Sequence, residues 1–219
     1  MRQRSVKNRD AIAADCSAWI ADDPKAKRGS WRSAFADPSL PLHLEIGSGK
    51  GRFICEMARL HPDVNFIAVE GGKKINVRIL QKAKDYNLSN LLVIMDYIVD
   101  ARDFFAEGEL DRIYLNFSDP WPKARNAKRR LTYREKLKAY EACAAPGAVL
   151  QFKTDNDRLF DYSLEEIRSR GLMLRWVTRD LHHSPYAEWN VETEYEQKFS
   201  ARGKSINCLQ AVLKNVTNS

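Results

Sequence analysis

Long apolar stretches are absent: no run in the 219 residues is long enough to span a bilayer. The basic opening segment, Met1 to Asp10, has no apolar stretch behind it, so it does not read as a secretory signal. Cysteine is sparse. Cys16, Cys55, Cys143 and Cys208 lie far apart with no C-x-x-C pair, which argues against zinc and against a disulfide framework. The expectation is no metal, and buried thiols in a reducing cytoplasm. Repeats and low-complexity stretches are missing too. No histidine or cysteine stands out as a general base or nucleophile, and the neighbours His182 and His183 have no metal-ligand spacing.

What is present is a foldable and basic chain. The hydrophobic fraction of 44% allows a buried core. A net charge of +7 favours polyanionic partners, nucleic acid before anionic membrane. Arg2, Arg4, Lys7, Arg9, Lys25, Lys27, Arg28 and Arg32 crowd residues 1–38, read as a basic arm that is partly helical around Ala11–Ile20 or disordered. Residues 39–219 read as one domain.

From Leu42 onward, strand-like and helix-like segments alternate. Strands are expected at Leu42–Ile46, Asn65–Glu70, Leu91–Met95, Arg112–Phe117, Ala148–Lys153, Leu172–Val177 and Ile206–Leu213. Helices are expected at Arg52–Leu60, Lys73–Tyr86, Ala101–Phe105, Thr132–Ala145 and Arg158–Arg170. Pro146-Gly147 reads as the stop between a helix and a strand. This alternation predicts an α/β fold with a mostly parallel sheet and right-handed crossovers. The near-continuous apolar early strands call for helices on both faces.

Glu45-Ile46-Gly47-Ser48-Gly49-Lys50-Gly51 follows the first strand and precedes a helix. Glycines there let backbone turn tightly and approach a ligand, at the sheet edge where α/β folds bind ligands. Arg52 breaks a dinucleotide fingerprint, while Leu44 and Gly51 break a phosphate-binding P-loop. Glu45, Glu70 and Asp96 end the first three strands. Glu70 can accept ribose hydroxyls, and Asp96, or its neighbours Tyr97 or Asp100, can flank an adenine. Three carboxylates would repel a pyrophosphate but suit S-adenosylmethionine, a cation without phosphate.

The fourth strand ends in Asn116-Phe117-Ser118-Asp119-Pro120-Trp121-Pro122-Lys123. The two prolines stiffen the backbone and hold Asp119 at the catalytic edge. A basic run follows at once: Lys123, Arg125, Lys128, Arg129, Arg130, Arg134, Lys136 and Lys138, against the single acid Glu135. Such a run beside an active-site loop is a phosphate-contact candidate. Asp155 lies at the next strand end, where Asn156 can cap the following helix instead. Thr193-x-x-Glu196 reads as a capping box. Trp19, Trp31, Trp176 and Trp189 read as packing residues.

These stretches together resemble the bacterial tRNA (guanine-N7)-methyltransferase family. They are Glu45–Gly51, Asn116–Lys123, Lys128–Thr132, Lys153–Asn156 and Thr193–Glu196, spread over positions 45 to about 200. The resemblance implies a class I Rossmann-like methyltransferase with a seven-stranded sheet, acting on N7 of a guanine in the variable loop of tRNA, at position 46. It places Glu45, Gly47, Gly49, Glu70, Asp96 and Asp119 at the S-adenosylmethionine site, with Asp119 also catalytic. It places Lys123, Asp155, Thr193, Glu194, Tyr195 and Glu196 at the substrate site, and Arg125, Asn126, Lys128, Arg129 and Arg130 on the RNA-contact segment. A cytoplasmic monomer or homodimer is expected. Two stretches depart from the family pattern: Glu70-Gly71-Gly72, and the residues after Asp96.

Guanine N7 carries a free lone pair and loses no proton on methylation, which agrees with the missing general base. Methylation of another RNA base or a small molecule, an idle RNA-binding protein and a nucleotide-dependent oxidoreductase are the competing readings. The basic run disfavours the small molecule, the intact glycine loop and acids disfavour the idle binder, and Arg52 disfavours the oxidoreductase.

Overall fold

The computed structural model describes residue 6 and residues 8–215. The ends of the expected basic arm, residues 1–5 and 7, and the last four residues of the tail fall outside the described residues. The seven strands are β1 (Leu42–Ile46), β2 (Asn65–Val69), β3 (Leu91–Ile94), β4 (Leu110–Asn116), β5 (Ala144–Thr154), β6 (Met173–Thr178) and β7 (Asn207–Val212). The helices are α1 (Arg9–Asp15), α2 (Arg52–Leu60), α3 (Val77–Asp85), α4 (Arg134–Cys143), α5 (Asp157–Ser169) and α6 (Glu194–Ser200).

The strands form one sheet in the order β3-β2-β1-β4-β5-β7-β6. The β1–β5 pairings are parallel, and β7 runs antiparallel between β5 and β6. The strand order reverses between β1 and β4, which leaves a crevice at their carboxyl ends. Every residue of β2 is buried, and its side chains alternate between two apolar layers. Ile67 and Val69 join a core with α4 and α5, while Phe66 and Ala68 join one with α2 and α3. Period-two alternation into helices on both sides is why these strands read as continuous apolar runs.

Several boundaries differ from the sequence reading. The segment expected to be helical at Ala101–Phe105 makes only a 3-10 turn over Ala101–Asp103. The third helix begins at Val77, four residues later than expected. Pro146-Gly147 does not separate helix from strand. It lies inside β5, where Gly147 takes φ 79° and the register against β4 shifts. A bulge admits a proline that a regular ladder would reject.

Residues 16–35 are not a peripheral arm. Cys16, Ala21, Trp31 and Phe35 are buried in the core. The Trp31 indole N–H donates to the Phe104 carbonyl at 2.7 Å, and the Glu109 carboxylate accepts the Gly29 and Trp31 backbone N–H groups at 2.9 Å each. This strap also covers the sheet edge: Ile20 bridges Val93, and the Ala21 N–H donates to the Val93 carbonyl. All four cysteines are free and buried. Among the tryptophans, Trp176 stacks on Tyr186 at 3.9 Å between centroids, whereas Trp189 is 76% exposed, against the packing role expected for it.

Candidate active site

The glycine loop sits at the carboxyl end of β1. Gly47, Gly49 and Gly51 all have left-handed backbones, with φ of 84°, 59° and 79°. A Cβ at Gly47 or Gly49 would meet nothing within 4 Å, so it is the backbone conformation that demands glycine there. Gly51 caps α2 and lies against Ile79 of α3, where a Cβ would come within 2.9 Å.

Two carboxylates frame the loop. Glu70 accepts the Gly49 N–H at 2.8 Å and the Gly72 N–H at 2.7 Å, so it shapes the loop directly. Glu45 is fully buried. One of its oxygens accepts from the Asn116 amide at 2.8 Å, and the other has no partner among the described residues. Burial pushes the Glu45 carboxyl up to about 7, against the opposing hydrogen bonds of Asn116 and Ser48 and the field of Lys153. A buried carboxylate oxygen without a donor at a strand-end crevice calls for a positively charged or hydrogen-bond-donating ligand. S-adenosylmethionine, with its ammonium and sulfonium, fits that requirement.

Asp96 is exposed beyond the end of β3 and accepts the Tyr97 N–H at 2.7 Å. The Tyr97 ring lies over Gly71, so near that a Cβ there would stand 2.4 Å from it. The small residue at 71 makes room for the tyrosine at 97.

Asp119 projects from the loop after β4. It is exposed and makes no hydrogen bond or ion pair with another described residue. The backbone on either side is strained: Phe117 and Trp121 have φ of 52° and 41°. Left-handed backbone costs about 1–2 kcal/mol for a residue with a Cβ, and more tellingly for bulky rings. Surrounding contacts hold it there. The Phe117 N–H donates to the Lys153 carbonyl at 2.9 Å. The Arg129 guanidinium covers the Trp121 ring at 3.6 Å. Arg130 donates to the carbonyls of Pro120 at 3.1 Å and Trp121 at 3.0 Å.

The basic run after Asp119 forms a 3-10 segment, Ala124–Arg129. Lys123, Arg125 and Lys128 are exposed there, with no ion pair among the described residues, and Asn126 is half-buried. Arg129 and Arg130 differ from them, since both contact the Asp119 loop.

The third cluster joins β5 to α6. Lys153 and Glu196 are both fully buried and pair at 2.7 Å. Lys153 also donates to Asn190 and to the Val191 carbonyl, while Glu196 accepts from Asn190 and contacts His182. Burial raises the Glu196 carboxyl, but Lys153 and the hydrogen bonds outweigh it, and the net direction is down. Thr193 and Glu196 form a reciprocal capping box at the start of α6. Glu196 is thus engaged internally rather than open to a substrate. His182, Glu192 and Glu196 come close enough to share a cation, but the Lys153 ammonium already stands beside Glu196.

Glu194 and Tyr195 link that cluster to the crevice. Glu194 pairs with Lys82 at 2.8 Å and accepts the Arg52 N–H at 3.3 Å, and Lys82 also donates to the Lys50 carbonyl. The start of α6 is therefore fastened to the far end of the glycine loop. Tyr195 packs on Phe117 at 5.0 Å, and its hydroxyl donates to Asp155, which also pairs with Lys204 at 2.6 Å. Asn156, not Asp155, caps α5, accepting the Leu159 N–H at 2.9 Å. Sequence reasoning gave Asn116 and Lys153 no role of their own and missed the bracing by Arg130. A lysine closing the strand expected over Ala148–Lys153 was the one readable signal.

A family model described as "Putative methyltransferase" matches residues 39–209. The tRNA (guanine-N(7)-)-methyltransferase of Lacticaseibacillus casei is 50% identical over 88% of this chain and 89% of that protein. The enzyme of the same name from Geobacillus kaustophilus is 48% identical over 93% of each. The chain belongs to the tRNA (guanine-N7)-methyltransferase family. Among solved structures, the 16S rRNA methyltransferase KamB superposes with a TM-score of 0.60 at 15% identity, over 98% of this chain and 100% of that one. An antibiotic-related methyltransferase gives 0.59 at 16% identity, over 87% and 94%. These two share the α/β Rossmann-like fold expected for the tRNA (guanine-N7)-methyltransferase family. Among the described residues, no helix is long and apolar enough to cross a membrane.

Proposed function

We propose that this chain transfers the methyl group of S-adenosylmethionine to N7 of a guanine in tRNA, at position 46 of the variable loop. The carrying observation is that a buried carboxylate, Glu45, with one oxygen lacking a partner among the described residues, shares one sheet edge with the exposed Asp119, which has no hydrogen bond or ion pair among them, and an exposed basic segment. Identities of 50% and 48% to enzymes named for guanine N7 select the atom.

S-adenosylmethionine, when bound, supplies an electrophilic methyl on a sulfonium. Glu45 and Glu70 offer negative charge to the cationic donor, and Gly47 and Gly49 let backbone lie against it. Asp96 and Tyr97 flank the adenine side. Asp119 accepts hydrogen bonds from the N–H groups of the guanine Watson–Crick edge. That fixes the base and favours the positive charge that develops on the purine ring. Holding N7 in line with the methyl group can contribute about 7–11 kcal/mol by orientation alone. No proton leaves N7, so no general base is required. The target base must leave its stack to reach the donor. Asp155 and Tyr195 border the base. Lys123, Arg125, Asn126 and Lys128 contact the phosphate backbone. The enzyme works in the cytoplasm as a monomer or homodimer.

Incubation with labelled S-adenosylmethionine and unmodified tRNA, followed by nucleoside analysis, tests the reading. 7-Methylguanosine at position 46 is expected. Label in another nucleoside, or none, overturns it.

A further inference from the structure

We infer that Arg130 is a positioning residue for the Asp119 loop rather than an RNA-phosphate contact, and that Tyr162 is the platform that aims it. The inference rests on the methyltransferase reading above and assigns a part within it.

The geometry is that of a brace. The guanidinium donates from Nε to the Pro120 carbonyl at 3.1 Å and from a terminal nitrogen to the Trp121 carbonyl at 3.0 Å. These are the two carbonyls that directly follow Asp119. The same group lies over the Tyr162 ring at 4.2 Å from its centroid. Tyr162 belongs to α5, a helix capped by Asn156 and packed into the core through Leu159, Phe160 and Ile167. A helix anchored by its buried inner face thereby fixes the direction of the fork.

The loop needs such a brace. Proline supplies no N–H at positions 120 and 122, so the loop cannot hold itself through a backbone ladder there. Left-handed φ at Phe117 and Trp121 disfavours the observed path for free chain. Phe117 is held by the Lys153 carbonyl on one side. Arg130, with Arg129 stacked over Trp121, holds the other. Asp119 lies between these anchors, and its own side chain contributes to neither. A planar fork reaching two carbonyls is a task for arginine, since a lysine ammonium is a single point charge without fixed geometry. A phosphate contact, in contrast, tolerates lysine far better.

Three variants separate brace from phosphate contact. In Arg130→Ala, kcat falls at least tenfold. The slope of log kcat/KM for tRNA against log salt stays that of the parent, and S-adenosylhomocysteine binding by calorimetry changes less than threefold. Arg130→Lys recovers less than a third of the lost kcat. Tyr162→Leu lowers kcat by a smaller factor, and adding it to Arg130→Ala lowers kcat no further, because both act through one contact chain. A flatter salt slope with intact kcat, full rescue by lysine, or multiplying losses in the double variant would each overturn the inference. If the parent protein makes no 7-methylguanosine, the functional reading fails instead.

Discussion

The Asn116 side-chain amide donates to one carboxylate oxygen of Glu45 at 2.8 Å and leaves the other, fully buried, with no partner among the described residues. Burial holds this carboxyl near pH 7 rather than 4.5. A cationic ligand favours its ionised form, so S-adenosylmethionine should bind more tightly as pH rises from 6 to about 8 and then level off. Calorimetry across that range checks it. Glu45→Gln should bind about ten- to a hundredfold more weakly and lose the pH slope.

The same shift has an opposite effect on the empty fold. Between pH 4.5 and 7 the native state holds a proton on Glu45 that the unfolded chain has released, so stability falls as pH rises through that window. Glu45→Gln should therefore raise the melting temperature at pH 8 while leaving it nearly unchanged at pH 4. A lower melting temperature at pH 8 would count against this account of the site.

Asp119 is exposed and makes no hydrogen bond or ion pair with another described residue, so its removal should act on catalysis rather than on the fold. Asp119→Asn keeps the shape and exchanges an acceptor for a donor toward guanine. Its kcat should fall at least a hundredfold, with S-adenosylhomocysteine binding still measurable. Near-normal turnover would remove Asp119 from the chemistry.

Lys123, Arg125 and Lys128 should behave as phosphate contacts. Each change to alanine should raise KM for tRNA severalfold and reduce the salt slope by about 0.7–0.9, the release of one counterion. Titrating binding between 50 and 300 mM salt gives the slopes directly. Loss of turnover at saturating tRNA is not expected.

The buried pair of Lys153 and Glu196 should be costly to break singly. Lys153→Met leaves Glu196 buried without its cation and should destabilise the protein by about 3–5 kcal/mol. Lys153→Met with Glu196→Leu should recover much of that loss. Denaturant unfolding of the two variants makes the comparison.

The sheet was legible because strand burial leaves apolar runs, and Gly47–Gly51 and Asp119 were legible because strained turns and rigid loops carry glycine and proline. Two kinds of fact were hidden. One is internal use of charge. Arg130 and Lys123 look alike in a basic run, yet one braces carbonyls and the other faces solvent. Glu196 could be read as a cap or as a substrate contact, and only packing revealed its partnership with Lys153. The other is contact across long separations. Residues 16–35 are polar and patchy, which suggested an arm, but Trp31 and Phe35 find their places in a core built from later strands. Pro146-Gly147 misled for a similar reason, since a bulge has no local signature apart from the turn it mimics.

The strap through Trp31 also bears on synthesis. Its acceptor, Phe104, lies 73 residues further along the chain, and Glu109, which takes the Gly29 and Trp31 N–H groups, lies about as far. As the chain grows, the strap emerges well before the partners it docks on, Val93 of β3, Phe104 and Glu109. The Trp31 part of the strap therefore settles only after residues more than 70 positions later have been made, and until then the tryptophan is uncovered.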